Sequence, residues 1–163
     1  MSKILLLGGS GILGSELKGH LKDCYAPTRE ELDLLTVKAS KLDKLISEYD
    51  IIINCAVLKD SKRLQHMFHV NTLIPTYIAE KVNKKRHKSV FIHISTDYVF
   101  DGVGGSGKQP YPEILPMYPQ FHLMPEYSFT KFMAENNVLI HGGYIIRTSF
   151  YPTSTIEKAP TSP

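Results

Sequence analysis

The sequence predicts an α/β fold: a three-layer sandwich around a parallel sheet of at least five strands. Three observations predict it. Short, continuous apolar runs rich in isoleucine and valine recur along the chain, helix-like stretches alternate with them, and the first run leads directly into a cluster of glycines. Continuous runs mark strands buried on both faces, the habit of a parallel sheet. Strand alternating with helix is the pattern of right-handed βαβ units.

The elements follow in order. ILLL at 4–7 is the first strand, and the first helix-like stretch covers 12–22. CYAP at 24–27 is a weaker second strand, followed by a helix over 38–48 and a third strand, IIINCAV, at 51–57. A long helical stretch from about 61 to 85 leads to SVFIHIS at 89–95, then a helix at 127–140 and a fifth strand, YIIRTS, at 144–149. One segment breaks the alternation. Residues 101–126 hold five of the ten prolines and four of the eleven glycines, the composition of a long functional loop or lid. The tail 151–163 is rich in Pro, Ser and Thr and reads as unstructured, so a single domain is expected over residues 1–150.

With 163 residues, 42% hydrophobic and 21% charged, the chain can bury one sizeable core. A net charge of +3 does not point to nucleic acid. Lys81, Lys84, Lys85, Arg86 and Lys88 cluster where a helix should end, and cations there complement the helix dipole; a polyanion site is the alternative. Cys24 and Cys55 fall in strands expected to be buried, with neither disulfide nor metal spacing, which fits a reduced cytoplasmic setting. No apolar run approaches the roughly 20 residues that span a bilayer, so a soluble protein without membrane partners is expected. No metal site is expected either: His66 and His69 could share a helix face, but no third ligand accompanies them.

The glycine cluster, GGSGILG, sits between strand and helix. In that context Gly8 permits the tight turn, Gly11 lets backbone amides approach a pyrophosphate, and Gly14 lets helix pack close to strand. This is the beginning of a Rossmann-type dinucleotide site. At the end of the second strand an acidic residue would take a ribose 2′-hydroxyl and an arginine a 2′-phosphate. Here Arg29 comes first and Asp33 follows, which favours NADP(H) over NAD(H); an exposed loop cation is the plainer reading of Arg29. GVGGSGKQ at 102–109 imitates a phosphate-binding loop, but Gln109 replaces the hydroxyl residue and prolines follow instead of a helix. Ser128 and Lys131 match the S-x-x-K of serine acyl enzymes without its partner motifs. Tyr127 and Lys131, four apart on a predicted helix, share a face, which from spacing alone suits either chemistry or a solvated surface.

Taken in order, GGSGILG, HISTDYVFDG and YSFTK make the chain resemble an extended short-chain dehydrogenase/reductase. More narrowly it resembles the dTDP-4-dehydrorhamnose reductase family, for which STDYVFDG is the most specific signal. LDL at 32–34, NCA at 54–56, VN at 70–71 and RTSF at 147–150 fall in the expected order. The resemblance implies NADPH-dependent reduction of a nucleotide-linked 4-keto-6-deoxy sugar. Tyr127 would protonate the alkoxide, Lys131 would favour the ionised phenol and grip the ribose, and Thr96 would hydrogen-bond the carbonyl oxygen. Asn71 would support the lysine, or simply satisfy its own helix. Tyr98 and Phe150 would face nicotinamide and sugar, or belong to the core. By the same resemblance Gly8, Ser10, Gly11, Ile12, Leu13 and Gly14 would hold the pyrophosphate, Asp33 and Leu34 the adenine, and Cys55, Ala56 and Val57 the ribose; for the last five ordinary strand-end packing is the alternative.

The chain departs from the family pattern in four places. The stretch after NCA lacks the usual acidic, alanine-rich continuation, Phe150 stands where tryptophan is usual, the proline-rich loop is longer, and the chain stops where a carboxy-terminal sugar-binding lobe would begin. A homo-oligomer or a partner chain supplying that lobe is therefore an expectation. Two other functions share the fold: a non-catalytic NADP-binding module similar to the regulatory subunit of methionine adenosyltransferase, and a nucleotide-sugar epimerase or dehydratase.

Overall fold

The computed structural model describes residues 2–59, 62–84, 89–100 and 124–149. Most of the predicted loop, Phe150, the tail, Lys85, Arg86, Lys88 and the 102–109 segment lie outside the described residues. The five strands are β1 (Ile4–Leu7), β2 (Cys24–Tyr25), β3 (Ile51–Asn54), β4 (Val90–Thr96) and β5 (Tyr144–Thr148). They form one parallel sheet in the order β2-β1-β3-β4-β5. Among them run α1 (Ile12–His20), α2 (Ala39–Glu48), α3 (Leu64–Phe68), α4 (Ile74–Asn83) and α5 (Glu126–Ile140). The predicted α/β fold stands; β2 is shorter than expected, and α5 begins at Glu126.

The order changes direction between β1 and β3, where the chain steps outward to β2 before returning. In a doubly wound sheet that switch point opens a crevice at the carboxyl ends of the strands. Register aligns the crevice: Leu7 pairs with Asn54, Asn54 with His93, and Thr96 with Thr148. Gly8, Cys55 and Asp97, each one residue beyond its strand, therefore emerge along one edge.

The predicted long helix is divided and is not one regular α-helix. Between α3 and α4 lies a wide π-turn, His69–Leu73, in which the Ile74 N–H reaches back five residues to the His69 carbonyl. Pro75 is the physical cause, because it has no N–H to give the Asn71 carbonyl its α-helical partner.

The two faces of the sheet are covered unequally. Leu5, Leu7, Ile52 and Phe91 pack with Leu42, Ile46, Ile74, Ile78 and Val138 of α2, α4 and α5. Each such side chain removed from water contributes about 1.5–3 kcal/mol. The right-handed crossover from β1 to β2 puts α1 on the opposite face. There Leu6 is fully buried, but Ile51, Ile53, Ile92 and Ile94 are half-buried, and Ile146 is 49% exposed. Burial on both faces, expected for every strand, holds for β1 and is corrected for β3, β4 and β5 among the described residues. Cys24 and Cys55 are likewise half-buried, with Cys55 just past β3. A smaller cluster of Val99, Met124 and Phe132 joins the turn after β4 to α5.

Two cations of the basic cluster are committed locally. Lys81 reaches Asp43 on α2 at 3.1 Å, and Lys84 pairs with Glu80. Among the described residues no helix is long and apolar enough to cross a membrane, and no group of three or more His, Cys, Asp or Glu is placed to hold a metal ion.

Candidate functional site

The glycine corner is built by backbone contact. Gly8 has φ +78°, and a Cβ there would stand 2.5 Å from the Ala56 nitrogen. Gly14 lies under it: a Cβ on Gly14 would fall 2.1 Å from the Gly8 carbonyl oxygen, so only glycine lets α1 start this close to β1. Gly11 differs. A Cβ on it would meet only the Gly8 carbonyl oxygen, at 3.4 Å. That residue faces open space, where a ligand's phosphates could approach the chain.

Two adjoining clefts of about 360 and 280 Å³ share Gly11, Cys55 and Val57 and together make one groove across the carboxyl edge of the sheet. The larger cleft holds Ile12, Leu13 and Gly14 at one side and Thr96, Tyr98, Tyr127 and Lys131 at the other. The smaller is walled by Gly8, Ser10, Arg29, Asp33, Leu34 and Ala56. All the expected cofactor residues thus line one groove, from two ends of the sequence.

At the larger end, Thr96 is nearly buried and sits on Asp97: its hydroxyl donates to Asp97 Oδ1 at 3.1 Å and accepts the Tyr98 N–H at 3.3 Å. The Tyr127 phenol is pushed above its ordinary pKa, first by burial, then by the charge of Asp97 and by Tyr98, while the nearby Thr96 hydroxyl draws it back. This corrects one expectation. The groups that shift the phenol do not include Lys131, whose Nζ donates to the Ile94 carbonyl at 2.6 Å and lies 2.9 Å from His93 Nε2. Lys131 is 2% exposed, and burial draws its ammonium down to about 8 against the opposing pull of Glu135 and Cys55. Burial also pushes the Cys55 thiol up to about 11.

Asn71 is fully buried. Its side chain clasps both the N–H and the carbonyl of Leu58 (2.8 and 2.9 Å) and donates to the Thr130 hydroxyl at 3.1 Å. It ties the segment after β3 to α5 and makes no bond to Lys131. Tyr98 is 55% exposed and meets Tyr127 edge-on, with ring centroids 6.1 Å apart, as a wall of the cleft and not as core. Arg29 is exposed and 3.9 Å from Asp33, whose Oδ1 accepts the Leu35 N–H. Ser128 is fully buried on α5, closed to any acyl substrate.

Several buried polar residues escaped the sequence reading, four of them important to the site: His93, Asn54, Glu135 and Ser95. His93 and Asn54 are fully buried and bonded to each other at 3.1 Å. Glu135 is 1% exposed and takes Arg147 through bonds of 2.8–3.1 Å. Ser95, 3% exposed in the wall of the larger cleft, has no hydrogen-bond partner for its hydroxyl among the described residues. A signal was present for the first two: a histidine inside FIHIS and an asparagine closing IIIN are polar groups in strands expected to be buried, which require partners.

Residues 2–155 match the family model described as the RmlD substrate binding domain. The chain is 30% identical over 167 residues to a dTDP-4-dehydrorhamnose reductase of Mycobacterium tuberculosis, covering 96% of this chain and 52% of that protein. Among solved structures it resembles the dTDP-4-dehydrorhamnose reductase of Clostridium acetobutylicum, with a TM-score of 0.76 and 29% identity over 93% of this chain and 55% of the other. The enzyme of that name from Bacillus anthracis, solved in complex with NADP, superposes with a TM-score of 0.75 at 24% identity, covering 96% and 58%. The chain spans about half the length of the curated relatives it matches.

Proposed function

This chain belongs to the RmlD substrate binding domain family, and from that premise we propose that it binds NADPH and serves reduction of a nucleotide-linked 4-keto-6-deoxy sugar. One observation carries the reading: the Thr96 and Tyr127 hydroxyls stand at one end of a groove whose middle is the glycine corner. The open space at Gly11 and the unpartnered Ser95 hydroxyl fit a groove made to receive a polar ligand.

When bound, the nicotinamide supplies hydride to the ketone carbon. Tyr127, kept protonated by its burial, gives its proton to the oxygen that becomes the alkoxide, and Thr96 leaves Asp97 to donate to the same oxygen. Tyr98, in the wall of the cleft, flanks the sugar. Ser10, Gly11, Ile12 and Leu13 line the groove where the pyrophosphate would lie, the Gly11 N–H being given to the Gly8 carbonyl, and Cys55, Ala56 and Val57 line it where the ribose would lie. Leu34 borders the adenine. The exposed Arg29 is available to a 2′-phosphate, whereas the Asp33 carboxylate already holds the Leu35 amide and lies near Arg29, which favours NADP(H) over NAD(H).

The test is a titration with each nucleotide followed by turnover of dTDP- and UDP-linked 4-keto-6-deoxy sugars. NADPH should bind more tightly than NADH, and Tyr127→Phe should abolish turnover while leaving cofactor affinity unchanged. Absence of binding by either nucleotide would reject the reading. NADPH binding without consumption would reassign the chain to a non-catalytic binding module.

A further inference from the structure

We propose that His93, oriented by Asn54, is a positioning residue that holds Lys131 Nζ as a neutral amine, docked against the Ile94 carbonyl of β4. The argument is a count of donors and acceptors along a buried chain of three residues. Asn54 Oδ1 accepts the Ala56 N–H at 3.0 Å, so the other end of that amide is the NH₂ group. That NH₂ faces His93 Nδ1 at 3.1 Å and must donate to it. Nδ1 is therefore a bare acceptor, and the single proton of the neutral ring sits on Nε2. Nε2–H in turn points at Lys131 Nζ, 2.9 Å away. An ammonium has three donors and no lone pair, so a charged lysine would set donor against donor. A neutral amine resolves the conflict: its lone pair accepts from Nε2–H, and one of its own N–H bonds is given to the Ile94 carbonyl.

The surroundings agree. His93 is fully buried, and burial holds its pKa well below the ordinary value, which keeps the ring neutral. The groups facing Lys131 are His93 on β4, Cys55 after β3, and Glu135 and Tyr127 on α5. Glu135 favours the charged lysine, but its carboxylate is engaged by Arg147 of β5. A lysine drawn to about 8 by burial, against the opposing pull of Glu135 and Cys55, would still be mostly charged at pH 7; the histidine proton facing Nζ pushes it further down. Protonating Lys131 requires breaking its bond to His93, which frees Nζ to swing into the cleft it lines. The protonation state stands on the geometry; its use in catalysis rests on the reductase reading.

The test uses the ligand-free protein, so it does not depend on whether NADPH binds. Long-range ¹H–¹⁵N correlation spectra of the histidine rings at pH 7 should show His93 as the Nε2–H tautomer, and Lys131 Hε/Cε signals should titrate below pH 7. Asn54→Asp keeps an acceptor for Ala56 but places a second acceptor against Nδ1. It should switch the ring to Nδ1–H and raise the Lys131 titration by about one pH unit or more. A wild-type ring protonated at Nδ1, or Lys131 charged at pH 7, overturns the proposal, as does a folded Asn54→Asp protein with an unmoved lysine. If Asn54→Asp does not fold, the wild-type spectra decide alone.

Discussion

At one end of the groove the wall is backbone: Gly8, Gly11 and Gly14 shape it by what they lack. At the other it is a set of side chains, Thr96, Tyr127 and Lys131, held by a second set, Asn54, His93 and Glu135, beneath them. The first end tolerates no added atom at its closest contact. The second tolerates no lost partner, because its polar groups are shut away from water and each bond removed strands another group. One end should therefore break by insertion and the other by deletion.

The largest effect is expected at the side-chain end. Glu135→Ala takes away the carboxylate that Arg147 reaches through its bidentate bonds, and should cost about 3–5 kcal/mol in urea unfolding. A loss below about 1 kcal/mol would show that this end does not depend on buried pairing.

At the backbone end, Gly14→Ala puts a methyl 2.1 Å from the Gly8 carbonyl oxygen and should cost about 2–3 kcal/mol. Gly19 on the same helix has nothing within 4 Å, and Gly19→Ala should instead gain up to about 1 kcal/mol. The opposite signs within one helix isolate close approach from helix propensity.

Acid should act on the side-chain end first. An unfolded histidine takes its proton near pH ~6.5, whereas folded His93 takes it only well below that. Between those values the unfolded chain binds the extra proton. Stability therefore falls as the pH drops below about 6.5, by up to about 1.4 kcal/mol per pH unit. Unfolding measured from pH 7 to 5 should show this slope, and His93→Gln should flatten it.

The smallest effect on stability is at the far rim. Arg29 is exposed and its pair with Asp33 is long, so Arg29→Ala should change stability by less than about 0.5 kcal/mol. Nucleotide titrations should nonetheless show it losing preference for NADPH over NADH.

The backbone end was legible because glycine carries its structural meaning locally. A strand ending in Gly8 and a helix starting before Gly14 need no distant residue to explain them, and STDYVFDG with YSFTK named the hydroxyls of the other end. The direction of Lys131 was not legible. Spacing placed it one helical turn from Tyr127, and the family resemblance added the expectation that it would favour the ionised phenol. That expectation missed His93 and the Ile94 carbonyl, 38 and 37 positions away in the chain, which compete for the same Nζ. The partners of Asn71 were not legible either: Leu58 and Thr130 become its neighbours only when β3, the π-turn and α5 meet.

The sequence by itself determined the alternation of strands and helices and the glycine corner, because these depend on apolar periodicity and on residues near one another in the chain. Only the tertiary structure decided which sheet face is fully covered, which polar groups are buried, and which donor meets which acceptor. Those outcomes depend on desolvation and on contacts across tens of residues, and a buried proton goes wherever packing has left a lone pair.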